Sequence, residues 1–185
     1  MSKELLITLV GRSGCGKSTI ADRLRRKFGY EQAKSYTTRP VRKECEGDIN
    51  THTFISRAEI DNYEGDIVAY NEYNGNAYFV THKMLNDVQI YVVDKEGLIQ
   101  LYKNYHDKDI LSIYIDCDSS IVAQRMSERG DDDEAIMKRL QYDSEAFAGV
   151  KDLCDFVCTN ETQAQMNDIV DFIDSLFKYY RVRGG

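Results

Sequence analysis

Near the start of the chain, Gly11-Arg12-Ser13-Gly14-Cys15-Gly16-Lys17-Ser18 fits the spacing G-x-x-x-x-G-K-[ST] at every fixed position. Glycines so placed let a backbone wrap closely around an anion, with successive N–H groups aimed at phosphate oxygens. A helix opening at Lys17 would turn its unpaired N–H groups and positive dipole end toward the same anion. In such a P-loop, Lys17 neutralises the outer phosphates of a nucleoside triphosphate and the Ser18 hydroxyl holds Mg²⁺. The run from Gly11 to Thr19 is therefore expected to bind ATP with Mg²⁺.

The next basic segment suggests a second phosphate. Lys34-Ser35-Tyr36-Thr37-Thr38-Arg39-Pro40-Val41-Arg42 carries two arginines three positions apart, behind several hydroxyl side chains. Planar guanidinium forks suit phosphate oxygens better than ammonium groups do, which makes Arg39 and Arg42 candidates for an acceptor phosphate. The P-loop alone would equally serve a GTPase, an ATPase or a motor. A donor site followed by an acceptor site favours a small-molecule kinase.

These residues need a scaffold, and the remaining sequence alternates strand with helix. Apolar runs at 5–10, 90–94, 110–116 and 156–159 read as buried strands, while helical spacing covers 17–28, 96–105, 119–129, 134–147 and 163–180. Thr162 with Gln165 gives the last helix a capping-box opening. The alternation predicts an α/β fold, a P-loop NTPase-type parallel sheet flanked by helices. Segment 36–80 has another character, with Asn74-Gly75 as a hairpin signal and Ser56 with Glu59 opening a short helix. It predicts a small, partly β lobe inserted into a core of 1–35 and 81–185. The polar break Arg129-Gly130-Asp131-Asp132-Asp133 between two helices suggests a second mobile piece. All of this fits one domain of 185 residues.

Bulk properties narrow the setting. Lys plus Arg number 24 against 31 Asp plus Glu, a formal charge of −7 that disfavours general nucleic-acid binding. No apolar run reaches bilayer length, and the opening residues lack a signal-peptide layout, so no membrane partner is expected. The five cysteines, Cys15, Cys45, Cys117, Cys154 and Cys158, are odd in number and scattered, which predicts reduced thiols in a cytoplasmic protein, and a monomer or homodimer is expected. Cys154 and Cys158 lack a second ligand pair for zinc.

At this point the chain resembles the guanylate kinase family, from the first strand to about residue 160. The anchors are Gly11 to Thr19; Ser35, Thr37-Thr38-Arg39-Pro40 and Arg42; Phe54-Ile55-Ser56 with Glu59; Gly75-Asn76-Ala77-Tyr78; Asp94 with Gly97; Arg125 with Arg129-Gly130; and Lys138-Arg139-Leu140. The resemblance implies ATP as donor, Mg²⁺ as cofactor and a nucleoside monophosphate such as GMP as acceptor, with the lobe at 36–80 as a β-rich acceptor-binding lobe and a helical lid over about 125–140. It assigns Arg39, Arg42 and Tyr78 to the acceptor phosphate and Ser35 to the neighbourhood of the acceptor's base. Arg125 and Arg139 correspond to lid arginines that act with Lys17 on the transferring group. Arg129 falls near the ATP base or the lid hinge, Asn160 near the adenine, and Asp94 close to both acceptor and Mg²⁺.

The same comparison marks departures. His52 stands where the family places a tyrosine on the acceptor phosphate. Ala69 stands where the family reads guanine with a glutamate, Val80 replaces a hydroxyl residue although Thr81 follows, and Val92 replaces the first aspartate of an Asp-x-Asp strand end. Glu72 faces the opposite side of a regular strand from position 69 and could replace that glutamate only across a bulge. Phosphate handling is retained while base reading is depleted. The acceptor is therefore GMP or a related nucleotide, or alternatively another phosphate-bearing molecule such as ribose 1,5-bisphosphate. A non-catalytic guanylate-kinase-like binding module is a further alternative, disfavoured by the complete P-loop.

Overall fold

A computed structural model describes residues 4–41 and 51–183, so Arg42 and Cys45 lie outside the described residues. Strand β1 (Leu5–Val10) is buried along its whole length. It lies inside a parallel four-stranded sheet ordered β6-β1-β7-β8, with β6 at Ile90–Val93, β7 at Asp109–Asp116 and β8 at Phe156–Thr159. A strand covered on both faces needs apolar residues on both, which explains its nearly unbroken apolar run. Leu5, Ile7 and Leu9 enter one core cluster with Ile20 and Leu24, while Leu6 and Val10 enter another with Leu98 and Leu101. Val10 pairs with Val93 on one side and Tyr114 on the other. The chain therefore leaves β1 and β6 at one level, and this places Gly11 beside Asp94.

Helix α1 (Lys17–Phe28) follows the P-loop and ends at Gly29, whose φ of 75° suits a left-handed cap. Among the described residues the other α-helices are α2 (His82–Asn86), α3 (Lys95–Asn104), α4 (Ser119–Glu128), α5 (Asp133–Ala146) and α6 (Gln163–Arg183). Asp94, Asp118 and Asp132 cap α3, α4 and α5 by accepting backbone N–H bonds. The Thr162 and Gln165 side chains exchange bonds with each other's backbone N–H groups at the head of α6, completing the capping box. Helix α2 is too short for its periodicity to show in sequence. It is opened by Thr81, whose hydroxyl accepts the Met84 N–H at 3.2 Å.

The second sheet is ordered β3-β2-β5-β4, from β2 (Ser35–Thr37), β3 (His52–Phe54), β4 (Ile67–Tyr73) and β5 (Asn76–Thr81). Asn74 and Gly75 both take positive φ, 50° and 72°, the geometry of a tight hairpin turn between β4 and β5. Ser56 and Glu59 form the capping box of a 3-10 helix at Arg57–Tyr63. The architecture is an α/β P-loop kinase fold, with the second sheet contributed by the stretch between β1–α1 and α2.

Candidate active site

The P-loop keeps its shape because side chains far along the chain support it. Gly11 has φ 152°, and a Cβ there would meet the Ile115 carbonyl oxygen at 2.5 Å. At Gly16, with φ 95°, a Cβ would collide with the Asn160 amide nitrogen. Asn160 is fully buried and donates from Nδ2 to the Cys15 carbonyl at 2.8 Å. It therefore lies beneath the loop as a brace. Lys17 Nζ reaches the carbonyl oxygens of Gly11 and Arg12 at 2.5 and 2.7 Å. Arg12 turns outward to Ser119 Oγ at 2.9 Å and to the Cys117 carbonyl. Cys15 is buried, whereas Ser18 and Thr19 are exposed at the first turn of α1.

Two arginines stand against this loop. Arg139 Nε donates to Ser13 Oγ at 2.6 Å and lies 3.0 Å from Asp143 Oδ1. Because the single Nε–H points to Ser13, that Asp143 oxygen gains charge contact but no hydrogen bond. The other carboxylate oxygen accepts the Ser13 backbone N–H at 2.7 Å. Arg125 approaches the Gly14 carbonyl at 3.4 Å and Cys117 Sγ at 3.5 Å. Burial pushes the Cys117 thiol up, so it stays a neutral neighbour despite these guanidinium groups. Arg129 instead pairs with Asp131 at the end of α4.

A cleft of about 250 Å³ opens between the two sheets, lined by Gly11, Ser13, Lys17 and Arg139 from the donor side. Ser35, His52, Ala69, Asn71, Tyr78 and Asp94 line it from the other. Ser35 Oγ and His52 Nδ1 are 2.8 Å apart, and the His52 ring meets Tyr78 edge-on at 5.9 Å, so three expected acceptor residues form one cluster. Asp94 Oδ1 accepts the Gly97 N–H and Oδ2 accepts Asn71 Nδ2, both at 2.7 Å. The Arg39 guanidinium packs over Phe54 and donates to the Pro40 carbonyl, outside the cleft lining.

A bulge does interrupt β4, but between Ile67 and Ala69, and pairing is regular from Ala69 to Tyr73. Glu72 therefore faces away, where Tyr70 Oη and Arg57 bind its carboxylate. Those bonds hold Glu72 below the usual carboxylate range, and the Glu72 bond pushes the Tyr70 hydroxyl up. Thr81 is buried under α2 as its cap. Neither residue replaces the missing glutamate.

Sequence reasoning missed Asn71, Asp143, Tyr73 and Tyr142. Asn71 shares a strand face with Ala69 two residues earlier, and Asp143 follows Arg139 by one helical turn. These spacings were the available signals. Among the described residues no group of three or more His, Cys, Asp or Glu side chains gathers as a metal site. No helix among them is long and apolar enough to cross a membrane.

Comparison with known proteins agrees with this geometry. A family model described as an AAA domain matches residues 7–146. A guanylate kinase from Anaplasma phagocytophilum is 31% identical over 153 residues, covering 76% of this chain and 71% of the relative. A ribose 1,5-bisphosphate phosphokinase from Dickeya zeae is 29% identical over 141 residues, covering 74% and 75% respectively. The crystal structure of the Anaplasma phagocytophilum guanylate kinase superposes with a TM-score of 0.67 at 22% identity, covering 99% of this chain and 87% of that one.

Proposed function

The chain belongs to the guanylate kinase family and is a phosphotransferase, and we propose that it moves the γ-phosphoryl group of ATP onto the phosphate of GMP or a closely related nucleotide. The observation that carries this reading is a single cleft lined by Lys17, Ser13 and Arg139 together with Ser35, His52, Tyr78, Asn71 and Asp94. A donor and an acceptor phosphate entering it would meet between Arg139 and the acceptor cluster.

The reaction joins an anionic oxygen of the acceptor phosphate to the γ-phosphorus and breaks the bond from that phosphorus to the bridging oxygen. ADP leaves with the bond's electron pair, and no protein proton is required. Catalysis is then positioning and charge compensation. Lys17 exchanges the carbonyls of Gly11 and Arg12 for phosphate oxygens. Arg125 and Arg139 neutralise the group in flight, and Tyr78 with His52 orients the acceptor phosphate, aided by Arg39 and Arg42. Arg129 sits at the edge of the lid.

Mg²⁺ fits the oxygen donors present. Ser18 offers an exposed hydroxyl, Asp94 lines the cleft as a carboxylate, and Mg²⁺ ordinarily completes its shell with waters and substrate phosphates. When bound it supplies charge neutralisation on the phosphate chain. Cys15, Cys117, Cys154 and Cys158 are free thiols, which suits a cytoplasmic enzyme.

A second reading is phosphorylation of ribose 1,5-bisphosphate, favoured by the apolar Ala69 in the cleft wall and by the relative of that activity. A panel of GMP, dGMP, IMP, AMP, CMP, UMP, dTMP and ribose 1,5-bisphosphate, compared by kcat/KM with MgATP, separates the readings. A nucleotide winner supports the first and ribose 1,5-bisphosphate the second, while transfer to none would defeat both.

A further inference from the structure

Arg139 is held from three directions by separate parts of the chain. Its guanidinium carbon lies 4.5 Å from the ring centre of Tyr73 and 5.5 Å from that of Tyr142. The two rings are themselves 5.0 Å apart at 59°. Its Nε is fixed by Ser13 Oγ and the buried Asp143 carboxylate. Tyr142 and Asp143 belong to α5 with the arginine itself, and Ser13 belongs to the P-loop. Tyr73 alone comes from the inserted sheet, as the last residue of β4.

The anchoring is asymmetric in a useful way. Only the Nε edge of the guanidinium is engaged, and among the described residues its terminal nitrogens make no protein hydrogen bond. Arg139 nevertheless lines the cleft. A guanidinium pinned at Nε, with an aromatic face over its plane, presents its two terminal nitrogens as a fork of set direction. An unpinned arginine would have to be ordered anew in each turnover.

We propose that Tyr73 is a positioning residue for phosphoryl transfer, holding Arg139 by cation–π contact so that the acceptor-side sheet aims the arginine at the transferring group. The inference rests on the phosphotransferase reading above. Tyr73 touches neither reacting atom and acts through Arg139. When the sheet carrying the acceptor residues is seated, Tyr73 completes the mount. When it is displaced, Arg139 keeps its Ser13 bond but loses the face that fixes its plane. Acceptor occupancy is thereby linked to arginine alignment, and the donor phosphate is protected from transfer to water while the sheet is displaced.

The test is a double-mutant cycle on the full chain with MgATP and the best acceptor of the panel. Y73A lowers kcat about 2–30-fold, the span between an exposed and a buried cation–π contact, while KM for ATP and for the acceptor stays within about twofold. Y73F restores most of the loss, because the ring face and not the hydroxyl contacts the cation. In an R139A background, Y73A has no further effect on kcat, because residues acting as a unit are not additive. Thermal midpoints recorded in parallel separate unfolding from misalignment. Additive losses in the double variant overturn the inference alone, as does a Y73A defect confined to acceptor KM or a Y73F enzyme as impaired as Y73A. Absence of transfer to every acceptor by the wild-type chain overturns the function and the inference together.

Discussion

Asn71 and Asp94 are joined across the cleft by a 2.7 Å bond from the amide nitrogen to the carboxylate, tying a strand of the inserted sheet to the cap of α3. A carboxylate only accepts, so the bond fixes which end of the Asn71 amide faces Asp94. The Asn71 carbonyl is then left for a ligand, on the strand face it shares with Ala69.

Acceptors that present N–H or O–H donors to that wall are therefore favoured over those that present lone pairs. N71A is expected to reduce the kcat/KM preference for GMP over AMP roughly 2–12-fold, the effect of one neutral hydrogen bond. E72A should leave the same ratio within about twofold, since its carboxylate is bound by Tyr70 and Arg57. A69E should raise it. Steady-state kinetics on the purified variants decide the matter, and a ratio untouched by N71A would remove Asn71 from base reading.

Lys17 carries the donor phosphates in the proposed reaction. K17A should weaken ATP binding by about 1.5–3 kcal/mol, the loss of a charge-assisted hydrogen bond, and should reduce turnover further. Calorimetric titration of MgATP followed by single-turnover transfer measures both. Wild-type values for the variant would contradict the assignment.

Asn160 is expected to act on ATP through the loop above it. N160A leaves the buried Cys15 carbonyl without its donor, which should cost about 1–3 kcal/mol of stability and loosen the loop. ATP affinity should fall with it, while affinity for acceptor alone holds. Denaturant unfolding and separate ligand titrations would reveal this, and an ATP-binding defect without any loss of stability would instead indicate direct contact.

Stability should also depend on pH through Tyr30 and Asp174, which bond at 2.9 Å between the end of α1 and α6. Burial and the Asp174 bond push the Tyr30 hydroxyl up to about 12. Its contribution is complete below the unfolded value near 10 and disappears as pH rises through the folded one. For Asp174, burial alone would raise the carboxyl, but bonds from Lys178 and Tyr30 outweigh it and hold the group below its ordinary value. That contribution is present above about pH 4 and disappears in more acid solution. The stability advantage of wild type over Y30F should shrink between about pH 10 and 12, and that over D174N should shrink below about pH 4. Flat differences across either range would show that the pair is not linked to folding.

Sequence disclosed the parts whose cause is local. The P-loop, the strand–helix alternation and the Asn74-Gly75 hairpin depend on neighbours a few residues away, and each stands where spacing placed it. Asp143 could not be read this way. Among Tyr142, Ser144 and Glu145 it looks like helix-surface charge, and the Ser13 N–H that, together with Arg139, makes its burial tolerable lies 130 positions distant. The orientation of Glu72 depended on where β4 bulges, and strand alternation cannot reveal a bulge whose partner strand sets it. Asn160 was legible as a position but not as a brace, since its partner is a backbone carbonyl.

The supports of the P-loop have a consequence for synthesis. The loop lies within the first tenth or so of the chain, yet the side chains that shape it stand at residues 143 and 160. A chain growing from its amino end produces the nucleotide cradle first and its struts last, and contacts this distant in sequence close slowly. If the loop needs these struts to hold nucleotide, capture by a growing chain should wait until Asn160 has emerged and packed beneath it.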